Sequence, residues 1–85
     1  MTSEQILEQA AAIIAERGAA YGDAKTMMGV IAARWSLTLD HHVTPSQVVL
    51  CMIDLKLTRL RHDPTHHDSI LDIIGYTALL PEALR

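Results

Sequence analysis

Thr44-Pro45-Ser46-Gln47-Val48-Val49-Leu50-Cys51-Met52-Ile53-Asp54-Leu55-Lys56-Leu57-Thr58-Arg59-Leu60-Arg61 is the stretch that decides the fold. Its first four residues combine a threonine N-cap, proline at the first helical position and glutamine at N3, a capping box that marks a helix start. On a helical wheel the rest is apolar over most of the circumference. It is broken by one polar stripe of Gln47, Asp54, Thr58 and Arg61 and another of Lys56 and Arg59. A helix apolar on nearly all sides needs neighbours on nearly all sides. The same helical periodicity recurs before and after this segment, and no run alternates with period two, so the chain reads as all-α.

Upstream, a helix is expected from Glu4 to Arg17, capped by Thr2 or Ser3, with Ile6, Ala10, Ile13 and Ile14 on one face. Gly18 is its expected end, and Gly18-Ala19-Ala20-Tyr21-Gly22-Asp23 reads as a turn. A second helix follows over Ala24 to Leu39, with Met28, Ile31, Trp35 and Leu39 on one stripe. Downstream, Pro64 bars continuation of the helix, so His62 to His67 forms a connecting loop. A fourth helix starts at Asp68 or Ser69 and is interrupted at Pro81, leaving 82–85 as a short tail. The expectation is a single domain over residues 1–85, a compact antiparallel four-helix bundle. Small domains bury a modest fraction of their surface, and the third and fourth helices are apolar on more than one side. A homodimer or homotetramer packed through those two helices is therefore expected.

Composition narrows the partners. Of 85 residues 49% are hydrophobic and only 4% aromatic, and ten acids against seven bases give net charge -3. A free-standing nucleic-acid binder carries the opposite balance, so neither DNA nor RNA is expected as a partner. The single cysteine, Cys51, sits among Leu50, Met52 and Ile53 and reads as a core thiol in a reducing compartment. No apolar run approaches the roughly 20 residues that span a bilayer. The start Thr2-Ser3-Glu4 does not read as a signal peptide, so a cytoplasmic protein without a membrane partner is expected.

The chemistry-bearing residues concentrate on the last two helices. Asp68, Asp72 and Tyr76 follow at four-residue steps, hence on one face of an otherwise aliphatic helix. Two carboxylates one turn apart make a half-site for Mg²⁺, a hard cation that keeps waters and substrate phosphate as further ligands. Asp54 is the matching acid on the third helix. With Thr58 it would face Asp72 and Asp68 if the two helices are antiparallel neighbours, giving a carboxylate cluster of Asp54, Asp68 and Asp72. The plainer readings stand beside this: Asp68 as a cap, Asp72 paired with an arginine from a neighbour, and Asp54 in a structural pair with Arg61 or Lys56. Lys56, Arg59 and Arg61 either complement the helix dipole or form a phosphate clamp that Arg17 and Tyr21 extend. The five histidines lie in expected loops or at helix ends, without the spacing of a transition-metal site.

Arg17-Gly18-Ala19-Ala20-Tyr21-Gly22, Ile31-Ala32-Ala33-Arg34-Trp35-Ser36, Lys56-Leu57-Thr58-Arg59-Leu60 and Asp68-Ser69-Ile70-Leu71-Asp72-Ile73-Ile74-Gly75-Tyr76 form a series. It resembles a family of small, mostly phage and prophage proteins, distantly similar to the MazG-like all-α nucleoside triphosphate pyrophosphatases. The resemblance covers about Glu16 to Leu80. It implies an oligomeric helical bundle in the host cytoplasm, Mg²⁺ held by acidic motifs on facing helices, and release of pyrophosphate from nucleoside triphosphates. Asp68 and Asp72 would stand for the second acidic motif, at a spacing of four rather than three. The first has no counterpart beyond Asp54. Under this resemblance Asp54, Asp68 and Asp72 are the metal-binding and catalytic residues, and Lys56, Arg59, Arg17, Tyr21 and Tyr76 hold the nucleotide. Two other readings stay open: a non-catalytic binder that sequesters a signal nucleotide, and a structural homo-oligomer whose polar stripes are salt bridges.

Overall fold

A computed structural model describes residues 1–84 as four helices, α1 (Ser3–Tyr21), α2 (Ala24–Leu39), α3 (Pro45–His62) and α4 (His67–Ala83), with no strand among the described residues. The helix starts follow local chemistry. Thr2 and Thr44 each close a capping box with a glutamine at N3, and the Asp23 carboxylate accepts from the Thr26 amide at 3.0 Å. At α4 the cap is His66 rather than Asp68 or Ser69. Its Nδ1 lies 2.6 Å from the Ser69 hydroxyl and accepts from the Ser69 amide, which accounts for a serine with no exposed surface. In the loop before it, the Thr65 hydroxyl and amide both donate to the Asp63 carboxylate, and these bonds hold its pKa below the usual value.

Two further expected boundaries move. The first helix runs past Gly18 to Tyr21, because Ala19 and Ala20 sustain it until Gly22 adopts φ 86° and its amide donates back to the Gly18 carbonyl. The fourth passes through Pro81 to Ala83. Gly18 is thus helix interior, with open space where a Cβ would stand. Gly18→Ala is expected to raise stability by about 0.5–1 kcal/mol, since alanine loses less backbone entropy there. Gly22→Ala is expected to lower it, because an L side chain is strained at that φ. Chemical unfolding of the two variants checks both signs; an α1 that ended at Gly18 in a left-handed conformation would reverse the first.

α4 packs against all three other helices, most extensively α3, whereas α1 and α2 barely touch each other. Within the chain Leu71 is buried, while Ile70, Ile73, Ile74, Leu79 and Leu80 of α4 are half-buried. The core is small. Ala32, Val43 and Val48 form its buried centre, with Met28, Ile31, Trp35 and Met52 packed around them. Val43 is held there because its amide donates to the Ser36 hydroxyl at 2.9 Å, which in turn donates to the Ala32 carbonyl. Leu39, expected on the same stripe, and Cys51, expected in the core, are both exposed. Among the described residues no helix is long and apolar enough to cross a membrane.

Candidate functional site

Where α1 and α2 diverge over α4, they leave a cleft of about 580 Å³. Its walls are mainly aliphatic, with Ile13 and Ile14 of α1, Met28 and Ile31 of α2, and Leu71 and Leu79 of α4. Arg17, Tyr21, Asp72 and Tyr76 line it as well, which brings four of the expected site residues to one place. Arg17 and Tyr21 share the last turns of α1, four residues apart. Asp72 and Tyr76 share a face of α4 with the same spacing.

Asp72 holds the centre. Its Oδ2 accepts from Lys56 Nζ of α3 at 3.1 Å and its Oδ1 from Arg17 Nη2 of α1 at 3.3 Å. One carboxylate thus ties three helices together. The side chains of Lys56 and Asp72 are each only 12% exposed, while that of Arg17 is 53% exposed. The Lys56–Asp72 contact therefore carries most of the coupling, and Arg17 keeps part of its guanidinium toward the cleft and solvent.

The expected carboxylate cluster does not form. Lys56 points at Asp72, and a residue two positions earlier on a helix lies about 160° around it. Asp54 accordingly stands on the solvent face of α3, and the Thr58 hydroxyl beside it donates to the Asp54 carbonyl rather than across to α4. Asp68 is exposed in the first turn of α4, where an acid complements the helix dipole. Among the described residues no group of three or more His, Cys, Asp or Glu side chains could hold a metal ion. Both oxygens of Asp72 already face cations, so this donor set does not fit Mg²⁺. Arg59 is exposed in the last turn of α3 with Arg61 and His62, away from the cleft lining.

Two acids were not anticipated at the site. Asp23, the α2 cap, and Glu82 both line the cleft. The signal for Glu82 lay in the sequence: Asp72, Gly75, Tyr76, Leu79 and Glu82 keep a three-to-four spacing straight through Pro81.

Comparison with known proteins gives this geometry a family. Residues 5–84 match the family described as Domain of unknown function (DUF6378). The chain belongs to that family. It is also 38% identical over 80 residues to the Gene 55 protein of Mycobacterium phage L5. That alignment takes in 93% of this chain and 47% of the phage protein, so the chain spans about half the length of its curated relative. No solved structure matches it. The α1 and α4 residues that meet in the cleft fall within the span matched to DUF6378, and the phage source of the relative agrees with the resemblance read from the residues. The more distant likeness to MazG-like enzymes is not among these matches.

Proposed function

We propose that the chain is a nucleotide-binding protein that holds its ligand in the α1–α2–α4 cleft without hydrolysing it, in the cytoplasm of a phage's host. The observation that carries this reading is the gathering of Arg17, Tyr21, Asp72 and Tyr76 around one cleft of about 580 Å³. That volume lies within the range of small-molecule sites, and apolar walls with a few polar groups are what such sites use. The aliphatic floor and the two tyrosine rings suit a flat base. The half-exposed Arg17 guanidinium suits a phosphate. The distant resemblance to nucleoside triphosphate pyrophosphatases supports the same ligand class.

Hydrolysis is a different matter. Water attack on a phosphoanhydride at neutral pH calls for a metal ion or a free base beside the phosphate. Of the three carboxylates on the cleft lining, Asp72 is engaged by Lys56 and Arg17 and Asp23 caps α2 through Thr26, and among the described residues no acids gather with Glu82 to hold a metal ion. Charge also selects among nucleotides. With Lys56 pairing Asp72, Arg17 is left against Asp23 and Glu82 around the cleft, so a ligand with a single phosphate is favoured over a triphosphate, whose extra charges meet repulsion.

The test is a thermal-shift and calorimetry panel of nucleoside mono- and triphosphates and cyclic nucleotides, with pyrophosphate release followed in parallel in the presence of Mg²⁺. Stabilisation by monophosphates or cyclic nucleotides, weaker with triphosphates and without turnover, is the expected result. Mg²⁺-dependent pyrophosphate release would overturn the non-catalytic reading, and silence across the panel would overturn the nucleotide.

A further inference from the structure

The chain exposes more surface than its size accounts for. Its accessible area is 5971 Å², whereas a folded monomer of 9.4 kDa has about 5,000 Å². The radius of gyration is 13.6 Å, against about 12 Å for a globular domain of this length. The excess of about 1,000 Å² is close to the roughly 800 Å² that each partner buries in a stable interface.

Apolar exposure is best organised on α2. Met28, Ala32 and Trp35 turn toward the core, yet Thr26, Val30, Ala33 and Leu37 form a second stripe on the opposite side, all of them exposed. Val30 is 53% and Leu37 76% exposed. Their steps of four, three and four residues are those of a seam on which one helix packs against another. No charge interrupts the stripe; Lys25 and Arg34 stand to its sides. Beside it, Gly29, Ala33 and Ser36 border an open groove closed by Asp40 to Val43, so a second helix can approach closely. Elsewhere the exposed leucines are less continuous. On α3, Leu50 and Leu57 lie on one flank of the polar stripe of Asp54 and Arg61, and Leu55 on the other.

We infer that this face of α2 is covered by the same face of a second copy, forming a two-fold homodimer. The stripe is self-complementary, as a two-fold interface requires. With two helices antiparallel across Ala33, Val30 of each copy meets Leu37 of the other. The dimer leaves the cleft free, because the stripe and the cleft-lining Met28 and Ile31 occupy different sides of α2.

Light scattering coupled to gel filtration is expected to give twice the 9.4 kDa chain mass at micromolar concentration. Leu37→Glu is expected to return the monomer mass with unchanged helical circular dichroism, since that side chain is solvent-facing in the single chain. Leu57→Glu on α3 is expected to leave the dimer intact. Hydrogen exchange on the unaltered protein supplies a readout that needs no variant: protection in residues 26–37 rises with protein concentration. A wild-type monomer at high micromolar concentration, a dimer that survives Leu37→Glu, or concentration-dependent protection confined to α3 would each overturn the inference.

Discussion

Replacing Asp72 by alanine is expected to lower stability by about 3 kcal/mol, the scale seen when one partner of a buried ion pair is removed. For a domain of this size that is a fall in Tm of about 10–20 °C. The reason is Lys56, whose side chain is as buried as that of Asp72. Without the carboxylate its ammonium is left desolvated and unpaired. The double variant Lys56→Met with Asp72→Leu is expected to recover most of the loss, because apolar side chains of similar volume remove the desolvation cost from both sides. Arg17→Ala alone is expected to cost under about 1 kcal/mol, since that pair is largely solvated. Thermal unfolding of the four proteins checks the ordering. An Asp72→Ala protein as stable as wild type would show that the three helices are not joined through this residue.

Arg17→Ala has its large effect on binding. If the exposed part of the guanidinium contacts the ligand phosphate, losing that charged hydrogen bond raises Kd about tenfold to hundredfold, from about 1.5–3 kcal/mol. Arg17→Lys is expected to retain part of the affinity, because it keeps the charge but not the planar fork. Calorimetric titration of the three proteins with the best nucleoside monophosphate measures this. Equal affinities for wild type and Arg17→Ala would remove the phosphate from this end of the cleft.

The helices were legible because their signals are local. Thr44-Pro45 with Gln47, and the apolar periodicity of α2, act within a turn or two of chain. The end of α1 was misread because Gly18 and Gly22 are equal as letters. What separates them is that Ala19 and Ala20 sustain the helix for another turn, and only Gly22 takes a positive φ. The site was legible in part for the same reason. Arg17 with Tyr21 and Asp72 with Tyr76 are pairs one turn apart, and each pair shares a face. Which face of α3 meets α4 is a tertiary fact. From sequence, Asp54 is expected opposite Asp72, and Lys56 at the helix dipole or a phosphate; the structure sets Lys56 against Asp72, which sends Asp54 to solvent. A carboxylate offered a buried ammonium is better satisfied than one offered a second carboxylate.

The central claim is that the α1–α2–α4 cleft holds a nucleotide. The most direct measurement is a nuclear magnetic resonance titration of the uniformly ¹⁵N-labelled chain with nucleoside monophosphates. The prediction is a saturable set of amide shifts centred on residues 13–31 and 71–82, with Arg59, Arg61 and His62 of α3 unmoved. Amide shifts centred on Arg59, Arg61 and His62, or none with any nucleotide at millimolar concentration, would contradict it.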